Sequence, residues 1–314
     1  MTLKQEPAAR APVSEAALGA ASAGAGYLLW GLSVIFYKQL TDVPPFEVLA
    51  HRSVWSVALI VVLILALSRR AQLMAILRDR RTLLTFVGTG LLIGSNWFVF
   101  IYSINEARIV ETSLGYYINP LVSVLLGVAF LGERLSRPQI FAVVLAAVGV
   151  AIFAVDLGQL PWISLYLAAS FAAYGYLRKV TRATPLEGLF VEVMVLLPLA
   201  LAYLWWLSGH GGTSFGNGSW FTWTFLVLTG PMTVVPLFLF SFGAQRIRLA
   251  TLGLMQYLAP TTQFFVAVFL YGEPLGTVQL MTFALIWVGL GIFSFDTWRC
   301  ERELRRAAAL ANRG

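Results

Sequence analysis

The sequence predicts an all-α integral membrane protein of ten transmembrane helices, arranged as two inverted five-helix repeats. Three observations lead to this fold class. Of the 314 residues, 59% are hydrophobic and 12% are charged, about half the charged share of an ordinary soluble domain. The chain matches itself at a shift of 140 residues. Its Lys and Arg residues cluster in alternate links between the apolar segments.

The repeat is marked mainly by glycine, proline and glutamate. Its matched pairs include Pro120 and Pro260, Glu47 and Glu187, and Gly132-Glu133 and Gly272-Glu273. Duplication within a very hydrophobic chain is typical of membrane transporters. The predicted organisation is a disordered cytoplasmic tail 1–21, repeats 22–156 and 161–298, and a basic cytoplasmic tail 299–314.

Ten apolar segments approach the length of about 20 residues that a membrane-spanning helix needs. In chain order they are 22–40, 46–67, 82–103, 109–131, 138–155, 161–178, 186–207, 220–243, 250–271 and 277–298. The links between them are short, which makes neighbouring helices pack antiparallel. The longest links are the basic 68–81 and the Gly-, Ser- and Thr-rich 208–219.

Alternate links carry the basic residues, which predicts the side on which they lie. The basic stretches are 69–81, 134–137, 178–182, 246–248 and the C-terminal tail. This side is therefore predicted to be cytoplasmic, with both termini on it. Since each repeat has five helices, an odd number, the second copy enters the membrane from the opposite side. Such repeats are related by a pseudo-two-fold axis in the membrane plane, with substrate bound near the midplane.

The composition argues against several other classes. The net charge of +7 lies in short clusters between apolar runs, so no nucleic-acid partner is expected. The two histidines, His51 and His210, lie far apart without an acidic cluster, so we expect no metal site, cofactor or enzymatic activity. A GxxxxGK[ST] loop is absent from the sequence, so ATP-driven transport by this chain alone is not expected.

Several motifs carry a resemblance to a known family. They are Glu47–Trp55 (EVLAHRSVW), Gly94–Trp97 (GSNW), Ser113–Pro120 (SLGYYINP), Leu131–Arg134 (LGER) and Gln256-Tyr257. Over residues 22–298 the chain resembles the RarD-type branch of the drug/metabolite transporter superfamily, and its halves resemble paired EamA domains. The resemblance implies ten helices, a bacterial inner-membrane location and export of small molecules. It also implies substrates such as amino acids, including aromatic ones, or amphipathic drugs.

One departure from the wider superfamily concerns proton coupling. Small multidrug relatives bind protons and cationic drugs through a glutamate of the first helix, whereas the first span here, 22–40, has no acidic residue. Proton coupling through a glutamate of the first helix is therefore not expected in this chain. Proton exchange and downhill flux both stay open.

Candidate gating residues are charged or proline residues within the spans. Charge is costly in hydrocarbon, so His51 and Arg52 either face a cavity or anchor the second span at the interface. Glu192 matches Arg52 under the repeat and lies near the opposite mouth, so the two could form asymmetric gates. Pro120 and Pro260 break the fourth and ninth spans, either as hinges or as packing kinks.

Candidate substrate-binding residues are polar or aromatic side chains within the spans. They are Trp30, Asn96, Trp97, Tyr116, Tyr117, Asn119, Tyr174, Gln256 and Tyr257. A helix–helix clamp is the alternative for Asn96, and a lipid-facing position is the alternative for Trp30 and Tyr174. Tyr117 and Tyr257 are repeat partners, whereas Asn96, Trp97 and Asn119 have no counterpart in the other half. We expect substrate choice to depend on residues of this second kind.

These patterns favour an exporter of small amphipathic metabolites that works by alternating access. Aromatic side chains with a few polar groups suit amino acids, especially aromatic ones. Hydrophobic drugs, or a lipid or precursor flippase, are the alternatives. Because ten helices suffice for a complete pathway, we expect a monomer whose partners are a small-molecule substrate and the lipid bilayer.

Overall fold

A computed structural model describes residues 15–105, 108–157, 162–181, 183–210, 213–272 and 276–311, and this part of the chain is helical throughout, without a strand. Its α-helices are α1 Glu15–Tyr37, α2 Pro45–Ala66, α3 Arg70–Arg78, α4 Arg80–Asn105, α5 Ile109–Leu131, α6 Arg137–Leu157, α7 Trp162–Val180, α8 Pro185–Gly209, α9 Ser214–Asn217, α10 Trp220–Ala244, α11 Leu249–Met255, α12 Leu258–Phe265 and α13 Thr277–Ala311. A 3₁₀ turn, Lys38–Leu40, follows α1, and a π-helical turn, Val266–Leu270, follows α12.

The all-α membrane fold is confirmed. Within the described ranges, nine segments are long and apolar enough to cross a membrane. The predicted sixth span, now α7, is not among them, because Arg178 and Lys179 in its last turn lower the mean hydropathy of this short helix. The count of ten spanning helices therefore stays a prediction.

The structure differs from the sequence prediction at two helix boundaries and in one link. Helix α1 begins at Glu15, inside the predicted tail 1–21, because its first turns are rich in alanine and Glu15 pairs with Arg246 at 2.8 Å. Helix α13 continues to Ala311 because no glycine or proline lies between Gly291 and Ala311 to end it earlier. The basic link also holds a helix, α3. Residues 1–14 and Glu273 lie outside the described residues.

Helix contacts are symmetric under exchange of the two predicted repeats. Helix α1 packs against α10 and α12, as α7 packs against α4 and α5. Helix α2 packs against α10, as α8 packs against α4, and the pairs α2–α8, α5–α11 and α6–α13 join the two halves. Gly132 and Gly272 take the same left-handed conformation, with φ of 63° and 66°, after α5 and the π-helical turn. These contacts support the pseudo-two-fold arrangement.

Helices α6 and α13 touch through two repeat-related glycines. A Cβ atom on Gly149 would lie 3.2 Å from the Thr282 carbonyl oxygen, and one on Gly289 would lie 2.8 Å from the Ala142 carbonyl oxygen. Small residues at such positions let transmembrane helices approach closely. Since the obstacle at Gly289 is backbone, a larger side chain there can be accommodated only by moving the helices apart.

We therefore expect Gly289→Ala to destabilise the protein by about 1–3 kcal/mol, as overpacking of a tight contact does. The measurement is the thermal unfolding midpoint in detergent. Gly291→Ala is the matched control, because a Cβ atom there meets nothing within 4 Å. Equal midpoints for the two variants would contradict the close α6–α13 contact.

Candidate functional site

A cavity of about 730 Å³ lies among helices α1, α2, α4, α5, α7 and α10 and the broken segment α11–α12. This volume falls in the usual range of small-molecule sites, about 300–1,000 Å³. At the predicted outer side its wall includes the exposed Lys38 and Thr41 of the α1–α2 link. The cavity therefore reaches the protein surface at this end.

Aromatic rings close the opposite end of the cavity. We call this group the aromatic floor, and it consists of Tyr27, Trp30, Phe171, Tyr174 and Phe240. Ring centroids lie 5.8 Å apart for Trp30 and Phe171, and also 5.8 Å apart for Trp30 and Phe240. Tyr27, Tyr174 and Phe240 are almost wholly buried. The protein is thus packed on the predicted cytoplasmic side and hollow toward the predicted outer side.

Eight of the residues predicted from sequence line this cavity. They are Trp30, Arg52, Asn96, Trp97, Tyr116, Asn119, Gln256 and Pro260. The other six, His51, Tyr117, Pro120, Tyr174, Glu192 and Tyr257, lie outside its wall.

Arg52 is held against the cavity wall by one hydrogen bond and two aromatic rings. Its Nε donates to Thr233 Oγ1 at 3.0 Å, and its guanidinium carbon lies 4.3 Å from the Trp97 ring centroid and 5.7 Å from that of Tyr37. Among the described residues, no acceptor bonds its two terminal nitrogens and no carboxylate pairs with it. Arg52 therefore keeps the planar pair of donors that suits a carboxylate.

The described wall residues carry positive charge only. Lys38 and Arg52 line the cavity, and no Asp or Glu is among the lining residues. Lys38 Nζ also lies 3.3 Å from the centroid of the Tyr271 ring at the outer end. An anionic group on a ligand is therefore favoured within the cavity.

Three amide side chains on the wall differ in how they are bonded. Asn96 Nδ2 donates to the Leu167 carbonyl at 3.0 Å and to Ser170 Oγ at 2.9 Å, which clamps α4 to α7. The clamp anticipated as the alternative for Asn96 is therefore present, although the residue also lines the cavity. Asn119 and Gln256 are buried, and neither Asn119 Oδ1 nor Gln256 Oε1 has a hydrogen-bond partner among the described residues.

The two prolines behave differently from each other. Pro260 cannot donate to the Gln256 carbonyl, which instead accepts from the Ala259 N–H at 3.0 Å, and the chain turns between α11 and α12. Pro120 lies inside the uninterrupted helix α5, so the predicted break of the fourth span is wrong. Helix α11 packs against this point, since a Cβ atom on Gly253 would lie 3.0 Å from the Pro120 carbonyl oxygen.

Tyr117 and Tyr257 join the two halves instead of lining the cavity. Tyr257 Oη donates to the Tyr117 carbonyl oxygen at 3.0 Å. The Tyr117 ring packs edge-on against Phe153 and Phe283, with centroids 5.7 and 5.4 Å away. This corrects the predicted substrate contact: the repeat-related tyrosines hold α5 against the broken segment.

Glu192 belongs to a buried polar cluster beneath the aromatic floor. Arg178 donates to Glu192 Oε1 from Nη1 at 3.4 Å, to Ser241 Oγ from Nε at 3.0 Å and to the Pro185 carbonyl from Nη2 at 3.0 Å. Glu192 also accepts from Thr89 Oγ1 at 2.7 Å and from Tyr174 Oη at 3.1 Å. Glu192 therefore lies outside the cavity wall, with Arg178 as its ion-pair partner, and its gating role at the end opposite Arg52 stays a prediction.

His51 faces the link between α8 and α10. Its Nδ1 accepts from Trp55 Nε1 at 3.2 Å, and its Nε2 lies 3.8 Å from Glu47 Oε1. Glu47 in turn accepts from the Ser214 backbone N–H at 2.7 Å, and Phe215 packs against the imidazole. His51 thus helps to hold segment 213–217 on α2.

Sequence reasoning missed several wall residues and one buried cation. Lys38, Gln263 and Tyr271 line the cavity but were not proposed for it. Lys38 was the only basic residue of its outer link, and that isolation was an available signal. Arg178 was assigned to a cytoplasmic link, yet it is 1% exposed.

The chain is similar to known transporters over most of its length. Residues 17–155 match the EamA-like transporter family. An uncharacterized transporter of Vibrio cholerae is 42% identical over 90% of this chain and 93% of its own length. The protein RarD of Escherichia coli is 39% identical over 89% of this chain and 94% of its own. The chain belongs to the RarD-like branch of the EamA transporter family.

Two further comparisons concern a more distant relative and the fold. The chloramphenicol-sensitive protein RarD of Pseudomonas aeruginosa is 31% identical over 86% of this chain and 91% of its own length. A solved crystal structure shares the fold, with a TM-score of 0.68 at 19% identity over 88% of this chain and 97% of the other. This RarD-like chain is therefore a multi-pass bacterial membrane transporter.

Proposed function

We propose that this RarD-like transporter exports small amphipathic metabolites that carry a carboxylate, above all amino acids and among them the aromatic ones. The observation that carries the proposal is the composition of the cavity wall. Arg52 offers two unpaired donors beside the Trp97 ring, and the described lining contains no acidic residue. A carboxylate fits the guanidinium, and an aromatic or aliphatic side chain fits the ring-lined walls.

Alternating access across the inner membrane, with both termini cytoplasmic, is the mechanism we propose. The cavity reaches the surface at the α1–α2 link, while the aromatic floor and the Arg178–Glu192 cluster close the other end. Exchange of the two repeat halves would produce the opposite state from the same helices. The outer-facing cavity is then the state from which an exported substrate is released.

Hydrophobic drugs are the second candidate class. The favouring observation is the number of aromatic rings on the wall, which include Trp30, Phe100, Tyr116 and Phe171. Such a ligand would bind without using the Arg52 donors. Transport of uncharged aromatic compounds that is insensitive to carboxylate competitors would favour this class.

The test is flux of radiolabelled phenylalanine from liposomes that contain the purified protein. We expect flux above protein-free liposomes, and a loss of at least 10-fold in Trp97→Ala, because this ring supports Arg52. Trp205→Ala is the matched control, since this tryptophan is 79% exposed and lies outside the cavity. Absence of flux for every amino acid, or scrambling of labelled lipid instead, would contradict the proposal.

A further inference from the structure

Two buried amide oxygens on the cavity wall have unused acceptor capacity. Asn119 is 6% exposed and Gln256 is 7% exposed, and their Oδ1 and Oε1 atoms have no partner among the described residues. Buried polar atoms are almost always hydrogen-bonded, so each exception calls for an explanation. Both residues line the cavity, and rotation of each amide group toward it would let a ligand with N–H donors supply the missing bonds.

The framework around the two amides is rigid. Asn119 lies on α5, and Gln256 lies where the chain turns between α11 and α12. These segments are fixed to each other by the Tyr257 hydroxyl on the Tyr117 carbonyl and by the close approach of Gly253 to Pro120. The two oxygens are therefore presented from a junction between the halves, and a site on rigid elements is held precisely.

The repeat does not account for these two amides. The counterpart of Asn119 is Ala259, and the counterpart of Gln256 is Tyr116. A residue needed only by the shared helix framework would be expected in both copies, as Tyr117 and Tyr257 are. The asymmetry points to a role in ligand recognition.

The charge of the cavity wall limits which ligands can bring N–H donors to the two amides. The described wall carries Lys38 and Arg52 and no acidic side chain, so a ligand with a net positive charge would be repelled. A zwitterion avoids this because its carboxylate can bind Arg52. Arg52 lies seven residues after the start of α2 and Asn119 ten after the start of α5, and both helices start at the predicted outer side. At a rise of about 1.5 Å per residue, the two residues lie at similar depths on the wall of the same cavity.

We infer that Asn119 and Gln256 form a subsite for the α-ammonium group of the substrate, while Arg52 binds its carboxylate. The inference deepens the proposed function and rests on it. The subsite distinguishes an α-amino acid from analogues that keep the carboxylate and side chain but lack N–H donors. Phenyllactate and N,N,N-trimethylphenylalanine are such analogues of phenylalanine.

The experiment measures how well each unlabelled analogue competes with phenylalanine for transport in liposomes. In the unmodified protein, phenylalanine is expected to compete at least 10-fold better than phenyllactate or the trimethyl analogue. In Asn119→Leu and Gln256→Leu that ratio falls toward one, because the ammonium group loses charge-assisted hydrogen bonds, whereas the phenyllactate hydroxyl loses at most one neutral bond and the trimethyl analogue loses none. Gln263→Leu is the matched control, an amide on the same wall whose replacement leaves the ratio unchanged.

A second pair of variants covers the case in which the leucine variants do not fold. Asn119→Asp and Gln256→Glu keep the acceptor oxygens and add negative charge, so they are expected to increase the preference for phenylalanine over phenyllactate at least threefold. An unchanged ratio in every folded variant overturns the subsite and leaves the proposed function standing. Failure of the unmodified protein to carry any amino acid overturns the proposed function itself.

Discussion

Arg178→Ala is expected to destabilise the folded transporter by about 3–5 kcal/mol, the cost of leaving one partner of a buried ion pair alone. Arg178 and Glu192 are each 1% exposed as side chains. The alanine variant loses all three hydrogen bonds that Arg178 donates, to Glu192, Ser241 and the Pro185 carbonyl. The Glu192 carboxylate then stays buried with only Thr89 and Tyr174 as donors. Thermal unfolding in detergent, followed by light scattering, measures the loss.

Two comparisons separate the buried pair from charge in general. Arg299→Ala removes an exposed pair with Glu303, whose contribution is small, and should leave the unfolding midpoint nearly unchanged. The double variant Arg178→Met, Glu192→Leu removes both charges and is expected to recover much of the stability, since an apolar pair of similar size often replaces a buried ion pair well. An Arg178→Ala protein as stable as the unmodified one would contradict the buried cluster.

The cluster also has a consequence for transport. It joins α7, α8, α10 and α4 at the end of the protein opposite the cavity mouth. Opening of that end must either separate Arg178 from Glu192 or move both with one group of helices. A stabilised double variant that still folds but transports slowly would indicate that the pair separates during the cycle.

Sequence reasoning identified several polar residues of the cavity wall because intramembrane polarity is costly. Arg52, Asn96, Asn119 and Gln256 each interrupt an apolar run, and such residues rarely face lipid. The helix period gave further information: Tyr116 and Asn119 are three residues apart and share a face, and both line the cavity. Tyr117 lies about 100° around the helix from Tyr116. The sequence prediction did not use this rotation, which places Tyr117 on a different face of α5 from Tyr116 and Asn119.

The repeat was informative about the framework and misleading about the site. Repeat symmetry favoured Tyr117 and Tyr257 as a substrate-binding pair. Residues kept in both copies, however, serve the contacts that both copies need, and the tyrosine hydrogen bond between the halves is of this kind. The ion pair between Arg178 and Glu192 joins two helices, and neither helix periodicity nor the charge of the links predicts this contact. Only the folded chain brings those groups together.

Arg52→Ala is expected to raise the KM for carboxylate substrates by about 100- to 1,000-fold, with a smaller change in the amount of folded protein. The reason is that the guanidinium, already fixed by Thr233 and Trp97, supplies a charge-assisted pair of hydrogen bonds in a water-poor cavity. A loss of about 3–4 kcal/mol in binding corresponds to this range at about 1.4 kcal/mol per tenfold. Concentration-dependent phenylalanine flux in liposomes gives the KM.

Phenylalaninamide distinguishes a carboxylate contact from a general role of Arg52 in cavity shape. It keeps the ring and the amino group but has no carboxylate, so its competition should not weaken in Arg52→Ala, and loss of the repelling charge should strengthen it. Arg52→Lys should recover part of the affinity, because an ammonium supplies the charge without the planar pair of donors. Lys38→Ala, at the exposed end of the cavity, should change the salt dependence of flux more than its KM. If Arg52→Ala weakened phenylalanine and phenylalaninamide equally, the carboxylate assignment would be wrong and Arg52 would act only through the packing of Trp97 and Tyr37.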